Sequence, residues 1–492
     1  MDYNRMNHSE TYNKKIIWKM GLNASLGSLI FGYNFGVFNT SQENVSAALG
    51  WNDNKDLYIS IMTALFSAGG LFGATSAGLI TNKIGRRRAL MLMDILHMVS
   101  CALFAIIYTP FFAAGRFLTG YVCGVYSTLV PLYLSEIAPA DIMGKIGDLS
   151  QLIIAFGVFL SYVVGLPLPI DDNNSSQLKY YWILMFTVQI LFSITQFFIL
   201  YKVYKYDTPV WYLSKHQNEK ALYCLLQWYN ETGAYDVLKK FGSSVIGILE
   251  EDHDNSGFSQ SELTVEICEK ASLEIRDEID FSYKDLLLFR KKTGKMMRLG
   301  FLMNTFQSTT GVAALTAYTT KIFMSLGMGT FEARIFTVGL GILNFLSTLS
   351  VIPIIDKFNR KTLLMTGVSC MCLSMFSLGF IAENDLTSSF LVFTFIITFI
   401  FGYGTGIGTI CWVYSGEILT SRAMAICIGA NWFWATVDTF TFPNVVNIFS
   451  IGVAFWIYSV ICLITIAYFL VDFVETRGLN KFQIRKAFEK FS

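Results

Sequence analysis

The sequence predicts an all-α membrane protein of twelve transmembrane helices, arranged as two six-helix bundles related by pseudo-two-fold symmetry. Three observations predict it. Of 492 residues, 53% are hydrophobic and 15% charged, with a mean hydropathy of +0.48, whereas a soluble chain carries about a quarter of its residues as charges. The apolar residues fall in runs long enough to cross ~30 Å of hydrocarbon at ~1.5 Å per residue. Charged landmarks then recur roughly 275 residues apart. GLITNKIGRRRAL at 78–90 is answered by IIDKFNRKTLL at 354–364, and PLYLSE ending at Glu136 by WVYSGE ending at Glu417. YDTP at 206–209 is answered by VETRG at 474–478.

Taken in order, a tail of residues 1–15 leads into spans near 16–38, 57–81, 89–108, 111–137, 147–166 and 181–204. These form a first bundle over 16–204. A charged linker, 205–298, has helical periodicity near 220–227, 245–250 and 263–279. The second bundle, 299–474, holds spans near 299–324, 331–355, 362–381, 390–415, 423–446 and 449–474, and a tail of 475–492 follows. A large soluble helical protein would need a polar stripe on every helix, and these segments lack one.

Lys and Arg set the orientation. Lys83 and Arg86–Arg88 follow the second span, and Lys357, Arg360 and Lys361 follow the eighth. The opposite loops carry Glu43, Asp53, Asp56, Asp171, Asp172, Glu383 and Asp385. Both termini are therefore expected in the cytosol, with the plasma membrane the expected location and the first span the insertion signal. The net charge of +1 gives no sign of a nucleic-acid partner; the bilayer is the implied surroundings. The nine cysteines lack metal-ligand spacing and read as structural thiols. The run from Asp252 to Gly257 imitates a calcium loop, but Leu263 stands where a bidentate Glu is required. No metal or other cofactor is expected.

The first span reads GSLIFGYNFGVFN at 27–39, where Gly27, Gly32 and Gly36 permit close helix approach. GRFLTG at 115–120 leads to PLYLSE. Gln151 falls in the fifth span, QSTTG at 307–311 in the seventh, Trp412 and Glu417 in the tenth, NW at 431–432 in the eleventh, and VETRG after the twelfth. This co-linear set resembles the facilitative glucose transporters, in the sugar-porter branch of the major facilitator superfamily. The resemblance implies the major facilitator fold, a small-molecule sugar as substrate and partner, and alternating access rather than enzymatic catalysis.

It also implies a midplane site between the bundles made by Gln151, Gln307, Asn344, Trp412 and Asn431. Amides suit sugar hydroxyls because they both donate and accept, and an indole suits the flatter face of the ring. The family pattern is departed from at Ser308, Ala313 and Gly404, and at Ile407, Thr409 and Cys411 where prolines are usual. Three lost hydrogen bonds at ~1 kcal/mol each would weaken glucose about a hundredfold. Thr310, Thr316 and Tyr403 are candidate replacement hydroxyls, so the expected substrate is a hexose or related polyol, D-glucose favoured. At the cytosolic helix ends, Arg86, Arg87, Arg360 and Arg422 are expected to reach Glu136, Asp356 and Glu417. That network would latch the inner side shut in the outward-facing state. Asn82 and Asn359 depart from the family's Asp and Gly, and the second change is tolerated because Asn accepts left-handed turns.

Proton-coupled relatives carry a carboxylate where this chain has Asn34, opposite Arg116. An amide does not titrate, which implies facilitated diffusion. Asp94 is a second intramembrane acid, and Asp438, seven residues outward of Asn431, is the reserve proton carrier. A proton-coupled sugar or inositol symporter, a non-transporting sugar sensor and a carrier of another solute are the rival functions. Asn44-Val45-Ser46 is a glycosylation sequon expected in the first outside loop, and Asn173 and Asn174 begin two more.

Overall fold

The computed structural model describes residues 12–51, 54–139, 142–169, 180–230, 233–234, 294–325, 329–355, 357–384, 389–479, 484 and 487–488. Twelve membrane-crossing units lie among them. The first half contains α1 (Lys14–Ala24) and α2 (Leu26–Leu49), α3 (Lys55–Ile84), α4 (Arg86–Phe104), α5 (Thr109–Ile137), α6 (Met143–Val164), and α7 (Tyr181–Thr187) with α8 (Ile190–Lys202). Two short helices follow, α9 (Pro209–Ser214) and α10 (Asn218–Leu226). The second half contains α11 (Gly294–Thr309) with α12 (Val312–Ser325), α13 (Thr330–Val351), α14 (Arg360–Glu383), α15 (Ser389–Thr405) with α16 (Ile407–Ile418), α17 (Ser421–Ile448) and α18 (Ile451–Val471). The expected helix near 220–227 is α10. The other linker segments, the calcium-like run, Asp356, Asn173 and Asn174 lie outside the described residues.

Large apolar side chains such as Phe72, Leu191, Phe198, Leu373, Phe376 and Leu470 face outward. Water would penalise such a surface and a bilayer rewards it. Eight spans are apolar enough to cross on hydropathy alone. The first, third, seventh and eleventh are not: each carries polar groups, among them Asn34, Arg86, Gln307 and Asn431, that the bundle buries.

Within the first half α2 packs on α6 and α3 on α5; within the second, α11 packs on α17 and α14 on α18. The halves meet where α3 crosses α17 and α6 crosses α13, with α2 against α12. Gly32 shows why small residues are needed in the first span: a Cβ there would stand 2.9 Å from Ile154 Cα, inside the neighbouring backbone. The seventh and tenth spans break, at Thr310–Gly311 and at Gly406. Discontinuous helices of this kind expose backbone at mid-membrane only where they line an internal cavity.

Candidate functional site

At the interface of the halves lies a cavity with about 910 Å³ of atom-free space, the open solvent at its mouth included. Of the expected site residues, Gln151, Gln307, Asn344, Tyr403, Trp412 and Asn431 line it, together with Thr316 and Ser308. Phe31, Phe35 and Trp432 complete its apolar wall, a contribution the motif reading did not include.

The amides are set by one another. Asn431 Nδ2 donates to Gln307 Oε1 and, at 2.9 Å, to the Asn304 carbonyl oxygen. Gln307 Nε2 donates to the Tyr403 hydroxyl at 2.7 Å, and Asn304 Nδ2 donates to Ser415 Oγ at 3.0 Å. This chain runs through α11, α16, α17 and α15, so four elements fix the orientation of the site amides. Thr310 does not join them: fully buried at the helix break, its hydroxyl turns back to the Gln307 carbonyl at 3.2 Å. The expectation that Thr310 faces the substrate is thereby corrected.

Three polar atoms on the wall have no protein hydrogen-bond partner among the described residues: Asn344 Oδ1, Trp412 Nε1 and Ser308 Oγ. A buried polar atom without a partner costs ~1–3 kcal/mol. A guest that donates to Asn344 and accepts from Trp412 removes that cost, and a hydroxyl does both. None of the described lining residues carries a charge, so the wall suits a neutral, hydroxylated molecule.

Asn34 is buried inside the first half. It exchanges amide hydrogen bonds with Gln189, donates to the Ile30 carbonyl at 2.9 Å, and lies 3.4 Å from His97 Nε2. Arg116 reaches only the Asn34 backbone oxygen, at 3.5 Å; its guanidinium otherwise rests on Met62 O and over the Phe38 and Phe66 rings. Asn34, expected opposite Arg116, instead pairs its side-chain amide with that of Gln189. Two neutral amides satisfy each other, while the cation finds carbonyl and ring density. Asp94 is held by the Tyr126 hydroxyl at 2.7 Å, in the first half. Asp438 is absent from the cavity wall and binds Ala314 N–H and the Tyr458 hydroxyl.

At the helix ends on the basic side, each half builds the same cluster. Arg86 grips Glu136 through Nη2 at 2.6 Å and Nε at 3.0 and 3.1 Å, with both side chains nearly inaccessible. Asp207 accepts from the N–H groups of Arg86 and Arg87 at 2.9 and 3.1 Å, and Thr208 donates to Glu136. In the second half Arg360 pairs with Glu417 at 3.2 Å. Glu475 accepts from the N–H groups of Arg360 and Lys361, and Thr476 donates to Glu417. Acidic residues of the YDTP and VETRG motifs thus cap the helices that open with the arginines, where free N–H groups and the helix dipole favour a negative charge. The motif recurrence marked these positions; the capping role needed the fold. Burial holds the Asp207 carboxyl above its ordinary range, against the pull of the Thr208 N–H and the Arg86 charge.

The expected latch is corrected in one respect. Both pairs lie within a half and clamp helix ends of the same bundle, and the Arg87 guanidinium binds the Leu200 and Tyr204 carbonyls instead of a carboxylate. Arg422 sits half-buried in the first turn of α17. An ion pair that does cross between halves, Lys321–Asp56 at 2.7 Å, is on the opposite side. Asn359 takes φ −66°, ψ 141°, while Gly85 takes φ 95°. The second turn needs no left-handed residue, which is why Asn fits. Asn44 belongs to α2, not to a loop: its Nδ2 donates to the Pro169 carbonyl at 3.1 Å and its Oδ1 accepts from Arg334 at 3.4 Å.

Comparison with known proteins agrees with this architecture. Residues 20–488 match the family model described as sugar (and other) transporter. Facilitated glucose transporter protein 1 of Caenorhabditis elegans is 26% identical over 492 residues, covering 95% of this chain and 89% of the relative. The D-xylose-proton symporter of Escherichia coli strain K12 is 26% identical over 505 residues, covering 95% and 94%. A solved major facilitator proton:xylose symporter bound to 6-bromo-6-deoxy-D-glucose superposes with a TM-score of 0.79 at 23% identity, covering 97% of this chain and 100% of that one. The chain is a multi-pass membrane protein with the major facilitator fold, and it belongs to the sugar (and other) transporter family.

Proposed function

We propose that the chain is a facilitative hexose transporter, D-glucose favoured, which moves its substrate by alternating access with the basic side and both termini in the cytosol. The observation that carries this reading is the uncharged cavity shared by the two halves, with its fixed amide chain and unpartnered Asn344, Trp412 and Ser308 atoms. The names of relatives, glucose facilitators among them, support the substrate class.

The cycle follows from the packing. The charge clusters tie helix ends inside each half, so each half moves as a unit. The halves touch on both sides of the cavity. Toward the acidic side, the Tyr162 hydroxyl donates to the Thr316 carbonyl at 3.1 Å and the Thr320 N–H to Asn39 Oδ1 at 3.3 Å. Toward the other, Trp432 Nε1 donates to Ser127 Oγ at 3.0 Å. Exchanging one set of contacts while keeping the other opens the site to one side at a time. Uniport rests on the Asn34–Gln189 amide pair, which has no proton to exchange near neutral pH.

Proton symport is the second reading, favoured by the half-buried Asp438 of the eleventh span and by the D-xylose and arabinose symporters among the relatives. Purified protein in liposomes separates the two. Uptake of radiolabelled hexoses should be saturable and should proceed without alkalinising the bath or acidifying the lumen. Hexose-driven proton entry would establish symport, and no competition by any hexose or polyol would refute the sugar reading altogether.

A further inference from the structure

The seventh span bends beside the cavity, and a carboxylate from another helix sits on the bend. Gly311, at φ 93°, separates α11 from α12, so the first N–H groups of α12 lack a helical acceptor one turn back. Asp438 of α17 supplies one: its Oδ2 accepts from Ala314 N–H at 3.1 Å. Its Oδ1 accepts from the Tyr458 hydroxyl of α18 at 2.6 Å, and the Tyr458 ring lies so close to Gly311 that a Cβ there would stand 2.7 Å away. One turn further along α12, the Tyr318 hydroxyl donates to the Thr439 carbonyl at 2.8 Å, and its ring stacks on Phe442. The base of α12 is thus fastened to its own half. Bonds that cross to the first half leave the helix from its second turn onward, at the Thr316 carbonyl, the Thr320 N–H and Lys321 Nζ.

We propose that Asp438 is a positioning residue for gating: it pins the base of α12 so that the helix turns about Gly311 as the cross-half bonds break and re-form. The inference rests on alternating access by this chain. A half-helix attached only at its far end would be dragged along its length by the opposing half. The cavity wall at Thr316 and the seal beyond it would then lose register together. Pinned at its base, α12 turns as a unit about Gly311, and the Tyr162–Thr316 bond breaks and re-forms with the others.

The test uses the full chain carrying Thr316→Cys, labelled by a membrane-impermeant thiol reagent from the acidic side, against the background of the native cysteines. Labelling is read without any sugar, so it stands whether or not a hexose is the substrate. Asp438→Ala should raise the labelling rate roughly fivefold or more, a population shift toward an unsealed gate. Asp438→Asn, whose Oδ1 still accepts from the Ala314 N–H while its Nδ2 donates to the Tyr458 hydroxyl oxygen, should stay within about threefold of the parent. Tyr458→Phe, which removes the hydroxyl and leaves the cap on α12, should fall between them. Unchanged labelling in Asp438→Ala overturns the proposal even if transport falls, because the residue is then merely structural. Asp438→Asn labelling as fast as Asp438→Ala also overturns it, because the charge would matter and the acceptor would not. Should Asp438→Ala fail to fold, unchanged labelling in Tyr458→Phe rejects the pin and faster labelling upholds it.

Discussion

Truncating Arg86 and truncating Arg360 are chemically the same change at pseudo-equivalent positions, yet the structure predicts different costs. Arg86 makes three contacts of 2.6–3.1 Å to Glu136, with side chains 2% and 3% exposed. Arg360 makes one of 3.2 Å to Glu417, which is 11% exposed, and its Nη1 donates to the neutral Ile355 carbonyl. Removing one partner of a fully buried pair costs about 3–5 kcal/mol, because the other charge is left without compensation. A single charged hydrogen bond at a partly wet site costs about 1.5–3 kcal/mol. Arg86→Ala should therefore destabilise the protein by about 1–2 kcal/mol more than Arg360→Ala, roughly a five- to thirtyfold difference in the unfolding equilibrium. Reversible unfolding in detergent micelles measures it. Adding Glu136→Ala to Arg86→Ala should recover stability, since the orphaned carboxylate is removed, with a coupling energy near the upper end of the ~0.5–3 kcal/mol range for neighbouring groups. Equal costs at the two arginines, or strict additivity in the double variant, would refute the reasoning.

Gln307→Ala removes an amide from the cavity wall and frees Tyr403 and Asn431 to turn from the sugar; the loss of two sugar hydrogen bonds at ~1 kcal/mol each should raise hexose KM about thirtyfold in a tracer-uptake assay while the maximal rate changes far less. Asp207 gives a pH signature. Its folded-state carboxyl is held above the unfolded value, so the native state binds its proton more readily and stability from this group falls as pH rises from the unfolded value through the folded one. Asp207→Asn removes that dependence, and the stability of the parent relative to the variant should increase as pH is lowered through that window; a constant or opposite difference contradicts the assignment. Asn44→Gln should leave electrophoretic mobility unchanged, since the sequon lies in a helix with its amide engaged on both atoms; a faster band would show that Asn44 carries a glycan.

Much of the fold was legible in sequence because a bilayer imposes one-dimensional rules. Apolar run length sets each span, and the Lys and Arg distribution fixes which ends share a side. The halves announced themselves through recurring charged ends. Seven of the eight expected substrate residues come to one cavity wall. Thr310 strayed because the site of a helix break, and the direction a hydroxyl takes there, depends on Gly311 and on the Tyr458 ring packed against it.

What the sequence by itself determined is which segments cross the membrane, how they pair into halves, and which polar side chains lie within them. The tertiary structure alone decided which polar groups meet. It placed Asp207 and Glu475 on helix N-termini more than a hundred residues away in the chain, paired Asn34 with Gln189 instead of Arg116, kept the buried arginine clamps inside each half, and set Asp438 on the base of α12. The physical reason is range. Hydropathy and length act along the chain and can be read from it, whereas a hydrogen bond or ion pair exists only within about 3 Å, a separation set by the packing of helices distant in sequence.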